Sequence, residues 1–122
     1  MLNEIKHVSQ IKHEAKRRWF TSSEMDLMLW FDGRELIAWQ FCYDKNQEEH
    51  ALSWKKDIGY SHLIVDDGEH GGALSHKSTP LLAHAENFDQ ARVLHLFECN
   101  SVRLPTDIRR KICTQIKSLK QI

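Results

Sequence analysis

The clearest pattern of hydrophobic and polar positions is a pair of β-rich runs on either side of Asp32-Gly33. The first run covers residues 26–31 and the second covers residues 34–43. Asp-Gly at this place favours a two-residue type I′ turn, because both turn positions need a positive φ. Such a turn pairs Phe31 with Arg34 and leaves both faces of the hairpin apolar. A hairpin of this kind is either covered on both sides or offers one face to a partner.

Two further strands are predicted after a polar loop. Apolar and polar residues alternate over residues 50–56, and a short turn at residues 57–59 leads into a second run at residues 60–65. Brief connections between consecutive strands are typical of an antiparallel meander. The pattern therefore predicts a meander of four strands.

The hydrophobic period changes to that of helices in the last third of the chain. Asn87 is the predicted N-cap of a helix that ends near Asn100, and Pro105 is placed to open a second helix. The apolar stripes of the two helices are Phe88, Ala91, Leu94 and Phe97, then Ile108, Ile112, Ile116 and Leu119. Strands followed by helices indicate an α+β fold, and the length fits one globular domain over residues 1–122.

Residues 3–19 predict an additional N-terminal helix packed on the sheet. Asn3 is a suitable N-cap. Five apolar residues recur at helical spacing: Ile5, Val8, Ile11, Ala15 and Trp19. The alternative is an extended segment, because Ile11, Ala15 and Trp19 also fall on one face of a strand.

The composition is that of a soluble globular protein. Of the 122 residues, 41% are hydrophobic and 28% are charged. No apolar run approaches the roughly 20 residues of a membrane span, and the N-terminus lacks the apolar region of a secretory signal. The cysteines are odd in number and form no CxxC pair, which favours reduced thiols and a cytoplasmic location.

The charge balance bears on the kind of partner. Lys plus Arg and Asp plus Glu both number 17, so the formal net charge is zero. A protein that coats nucleic acid is normally basic, so nucleic acid is disfavoured as a partner. Low net charge removes a barrier to self-association, which favours a homo-oligomer or another protein as partner.

The richest candidate chemistry lies in the histidine- and acid-rich stretch at residues 66–76. Carboxylates suit hard cations and imidazoles suit transition metals, while the glycines of the stretch allow tight bends. The candidate ligands of a divalent metal are Asp67, Glu69, His70 and His76, together with His62 on the preceding strand. The spacing fits no calcium-loop pattern, and the alternative is a solvated connection between strand and helix.

Two other groups of residues are candidates for binding. The first is a basic patch next to Trp19 and Phe20, which is expected to bind phosphates through its cations. The alternative interpretation of the same residues is a solvated helix end. Its members are Lys12, Lys16, Arg17 and Arg18. The second is an aromatic face of the hairpin, which is an interface, a ligand pocket or part of the core. Its members are Trp30, Trp39 and Phe41.

No catalytic motif is present in the sequence. A nucleophile elbow of the form G-x-S-x-G and a glycine-rich phosphate loop are both missing. The expected function is therefore that of a small cytosolic binding or interaction domain. The alternative is a divalent-metal-binding protein or small metal-dependent enzyme that uses residues 66–76.

Overall fold

The computed structural model describes residues 1–65 and 88–119, which form an antiparallel sheet and two helices. This confirms the predicted α+β class. Within the described residues the sheet has six strands in the order β1-β2-β3-β4-β5-β6, rather than the predicted four. The strands are β1 Asn3–Glu4, β2 Lys16–Thr21, β3 Asp26–Asp32, β4 Glu35–Tyr43, β5 His50–Lys55 and β6 Gly59–Ile64. The helices are α1 Gln90–Asn100 and α2 Thr106–Ser118.

The predicted N-terminal helix over residues 3–19 is wrong. This part of the chain instead supplies β1 and β2, which pair through Asn3 and Thr21. His7 and His13 have φ values of 64° and 70°, which are incompatible with a continuous right-handed helix. The alternation of side chains along β2 also buries Phe20 in the core. Phe20 is not among the apolar positions of the predicted helix.

The hairpin between β3 and β4 forms with a register different from the predicted one. Asp32 pairs with Glu35, so the two-residue loop is Gly33-Arg34. Gly33 has a φ of 61°, and a glycine at the first loop position is typical of a type II′ turn. A β-bulge between Trp30 and Phe31 shifts the register once more.

Both helices pack on one face of the sheet. Phe97 of α1 meets Phe41 edge to face, with ring centroids 5.4 Å apart. From α2, Gln115 Oε1 accepts a hydrogen bond of 2.7 Å from Trp39 Nε1. The largest fully buried side chains of this core are Trp39, Phe20, Phe41, Phe88, Phe97, Leu2, Leu27, Leu29, Leu52, Ile112, Ile116 and Val93.

The helix boundaries follow the predicted ones closely. The N-cap of α1 is Asp89, whose Oδ1 accepts a hydrogen bond of 3.1 Å from the Arg92 N–H. The predicted cap, Asn87, lies outside the described residues. Pro105 directly precedes α2, as predicted.

Candidate functional site

The sheet face that points away from the helices carries a contiguous group of large side chains, and we call it the outer face. Phe20 is buried in the core, so its neighbour Trp19 lies on the outer face. Trp19 pairs with Met28, and Arg17 pairs with Trp30, which places all four side chains on this side. Trp19 is 37% exposed, whereas Met28 and Trp30 are half-buried.

Among the residues that the structure describes, those in the middle of the outer face carry no charge. A row of paired residues crosses the sheet from β2 to β6, and all of its members are neutral. They are Trp19, Met28, Gln40, Ser53 and Ser61. The row therefore combines aromatic and apolar surface on β2 and β3 with neutral polar groups further across the sheet.

Charged groups border this middle row at both ends of the strands. Arg17 and Lys55 lie at one end. The Arg17 guanidinium donates a hydrogen bond of 2.5 Å to the carbonyl of Ser9. At the other end, Asp26 forms an ion pair of 2.9 Å with Lys45. The face thus has a neutral centre and a charged periphery.

The structure divides the predicted aromatic face between the two sides of the sheet. Trp39 and Phe41 are completely buried in the core. Trp30 lies on the outer face, because it pairs with Ala38, whose neighbour Trp39 points into the core on the other side of the sheet. The sequence pattern places Trp19 in the predicted N-terminal helix, so the predicted aromatic face does not include this residue. The aromatic run of Trp19 and its neighbour Phe20 was the signal for a strand there.

The predicted basic patch is also divided. Arg18 lies on the helix-covered side of β2, where its guanidinium donates two hydrogen bonds of 2.7 Å to the Glu4 carboxylate. Arg17 points to the outer face, and Lys12 lies in the loop before β2. The structure therefore does not gather these cations on one surface.

Lys16 borders an open groove at one end of β2, β3 and β4. The groove has a volume of about 530 Å³. It is lined by His13, Glu14, Ala15, Lys16, Phe31, Asp32, Gly33 and Ile37. Lysine and two carboxylates share this lining, so the groove does not select a ligand of one charge.

A polar cluster lies at the end of the sheet opposite this groove, where β4, β5 and β6 meet the start of α1. Tyr43 Oη and His62 Nε2 are 2.6 Å apart. The rings of His50 and His62 stack nearly parallel, with an interplanar angle of 7° and centroids 5.3 Å apart. The Phe88 ring meets His62 edge to face at 5.0 Å. We call Tyr43, His50 and His62 the imidazole cluster.

Burial sets the protonation of His62 and Tyr43 in the imidazole cluster. It lowers the pKa of His62 to about 4, and the neighbouring His50 adds to the effect. Burial also raises the pKa of Tyr43. Both groups are therefore neutral near pH 7, and Tyr43 Oη and His62 Nε2 share a hydrogen bond whose direction is set by the tautomer of the imidazole. An imidazole of such low basicity is poorly suited to act as a general base at neutral pH.

An ion pair closes one side of the imidazole cluster. Arg92 of α1 contacts the Asp44 carboxylate through two nitrogens, at 2.6 and 2.9 Å. The guanidinium carbon also lies 6.0 Å from the centroid of the Tyr43 ring. Asp44 has a φ of 59°, which turns the chain sharply after β4. These contacts tie α1 to the sheet and restrict access to Tyr43.

The predicted metal site is only partly within the described residues. Asp67, Glu69, His70 and His76 lie outside them, and His62 alone can be placed. Within residues 1–65 and 88–119, no three His, Cys, Asp or Glu side chains converge to form a metal site. A metal site that includes residues 66–76 thus stays a prediction.

Comparisons with known proteins give no relative from which a function can be transferred. No protein-family model, curated protein or solved structure matches this chain. Among the described residues, neither helix is long and apolar enough to cross a membrane.

Proposed function

We propose that this chain is a small protein-binding domain, and that its outer face binds a second copy of the same chain. The observation that carries the proposal is the contiguous group of Trp19, Met28 and Trp30 on the sheet face opposite both helices. Trp, Met and Arg are enriched in protein interfaces, whereas charged residues are depleted from interface centres. The neutral centre and charged periphery of the outer face have this composition.

Self-association is favoured by the charge of the whole chain. The formal net charge is zero, so two copies approach without long-range repulsion. The uncharged middle row also lets one outer face lie on another without placing like charges directly opposite each other at the centre. Two twisted sheets that pack face to face in this way have their strands within about 30° of each other.

The size of the outer face determines the expected strength of the dimer. Strands about 4.8 Å apart with a rise of about 3.3 Å per residue give β2 to β6 a flat area of about 500 Å². The area open to a partner is smaller than this, because Ala51 and Ser61 on β5 and β6 are already buried. A standard interface buries roughly 800 Å² on each partner. The dimer is therefore expected to be reversible and dependent on concentration, and each copy folds on its own.

The proposal is tested by placing a charge on the outer face. Trp19→Glu puts a carboxylate at the centre of the dimer interface, where burial without a partner costs several kcal/mol. We expect light scattering to show a concentration-dependent rise in mass for the wild type and a monomer for this variant. Ile58→Glu is the matched control, because Ile58 is 70% exposed in the turn between β5 and β6.

Two results would contradict the proposal. One is a wild-type protein that stays monomeric up to millimolar concentration. The other is a Trp19→Glu variant that dimerises as well as the Ile58→Glu control. Circular dichroism of both variants shows whether each retains the fold, and a Trp19→Glu variant that unfolds would assign this side chain to the core instead.

A further inference from the structure

The outward side of α1 carries two soft donor side chains one helical turn apart. His95 and Cys99 are both exposed. Cys99 Sγ lies 3.5 Å from His95 Nε2 and 3.8 Å from Nδ1. Neither side chain makes another hydrogen bond with a residue in the described ranges. The pair is thus open to solvent and available to a ligand.

The separation of the two donors matches the requirement of a tetrahedral metal ion. Zinc binds thiolate sulfur at about 2.3 Å and imidazole nitrogen at about 2.0–2.1 Å, so tetrahedral angles place the two donors about 3.6 Å apart. The observed Sγ–Nε2 distance of 3.5 Å is close to this value. Because Sγ also lies 3.8 Å from Nδ1, the His95 ring has to rotate before the Nε2 lone pair points at an ion bound by Cys99, and both side chains are exposed and able to change rotamer.

We infer that His95 and Cys99 form a binding site for a thiophilic divalent metal such as Zn²⁺ or Cd²⁺. The site binds one ion per chain, and water molecules occupy the remaining coordination positions. On binding, the Cys99 thiol loses its proton to solvent and forms a sulfur–metal bond, while the neutral His95 imidazole donates a nitrogen lone pair. The site is separate from the outer face, because α1 packs on the opposite side of the sheet.

The other two cysteines are poor competitors for the same ion. Cys42 and Cys113 are buried in the fold. Burial raises the pKa of the Cys42 thiol to about 12 and also raises the pKa of Cys113. Because the thiolate is the form that binds metals, both are disfavoured as ligands. A thiolate–metal signal is therefore expected to come from Cys99.

The test is a titration of the reduced, full-length protein with Cd²⁺, followed by the ultraviolet charge-transfer absorption of the thiolate–cadmium bond. We expect the absorption to saturate at one equivalent and to disappear in Cys99→Ser. His95→Gln should weaken binding at least about tenfold, since even supporting contacts of metal ligands act on that scale. Cys113→Ala is the control and should retain the wild-type titration.

The inference would be overturned by several outcomes. One is Cd²⁺ binding without thiolate absorption, which would place the ion at oxygen or nitrogen donors elsewhere. The others are an absorption that survives Cys99→Ser and an affinity that His95→Gln leaves unchanged. Both substituted side chains are on the surface of α1, and circular dichroism of each variant verifies that the fold is retained.

Discussion

At the scale of single residues, the imidazole cluster is the clearest case in which packing changes chemistry. His62 lies on the helix-covered side of β6, opposite the buried Leu52, and therefore faces Tyr43 and Phe88 rather than water. Its low pKa follows from this environment, and the hydrogen bond with Tyr43 pairs one of the two nitrogens of the neutral ring. A residue that the sequence offers as a metal ligand is thus committed to an internal contact through Nε2.

The low pKa of His62 predicts a loss of stability in mild acid. The folded-state pKa is about 4 and the ordinary value is 6.5, so the unfolded state takes up a proton first as the pH falls. The stabilising effect is complete above about pH 6.5 and is lost between there and pH 4. The difference between the two pKa values corresponds to about 3 kcal/mol in the free energy of unfolding. Solvent contact of the half-buried ring reduces this contribution to about 1–2 kcal/mol.

Urea denaturation at pH 7.5 and pH 5 measures this effect. The free energy of unfolding of the wild type should fall between the two values, and His62→Gln should fall less. His7→Asn is the control, because His7 is exposed and asparagine tolerates its positive φ. Equal pH dependence in all three proteins would disprove the assignment to His62.

A second residue-scale prediction concerns the Tyr43 hydroxyl. Tyr43→Phe removes the only described hydrogen-bond partner of His62 Nε2 while keeping the aromatic ring in place. We expect the free energy of unfolding at pH 7.5 to fall by about 1–2 kcal/mol, the usual effect of leaving a buried polar group unpaired. The same denaturation assay measures it. An unchanged or higher stability would show that this hydrogen bond contributes nothing to the fold.

At the scale of elements, the sequence predicted the segments whose pattern is strong and local. Strands β3 to β6 and both C-terminal helices are at the expected places, because alternation, turn residues and helix caps all act over a few neighbours. Residues 3–19 were misassigned because their apolar spacing fits a helix, while the partner that selects a strand, β3, lies further along the chain. Tertiary pairing overrides local propensity in such a segment.

The register of the central hairpin shows a finer limit of sequence reasoning. Asp32-Gly33 correctly located the turn, but the loop formed one residue later and a bulge followed at Trp30. Moving a strand by one residue exchanges its two faces. This shift puts Trp30 on the outer face, whereas Trp39 and Phe41 face the core. The predicted aromatic face is therefore divided between the two sides of the sheet.

The contact between α1 and the sheet gives the prediction at this scale. Phe97→Ala removes a fully buried ring that packs on Phe41, and we expect it to lower the free energy of unfolding by about 3–5 kcal/mol. Val102→Ala is the control, because Val102 is 57% exposed after α1. Chemical denaturation of both variants gives the comparison, and similar stabilities would contradict the role of Phe97 in joining α1 to the sheet.

At the scale of the whole molecule, the two faces of the sheet have different tasks. One face is covered by both helices and supplies the core that stabilises the domain. The outer face carries Trp19, Met28 and Trp30 next to neutral polar side chains, and we propose that it binds a second copy of the chain. The sequence predicts a hairpin with two apolar faces, but it does not determine which residues share a face, since that depends on the register.

The most direct test of this account is nuclear magnetic resonance of the tryptophan indole N–H groups at increasing protein concentration. Self-association through the outer face predicts that the Trp19 and Trp30 resonances shift together with concentration. The Trp39 resonance should stay constant, because that indole donates to Gln115 inside the core. Constant resonances for Trp19 and Trp30, or shifts confined to amides of α1 and α2, would contradict the account.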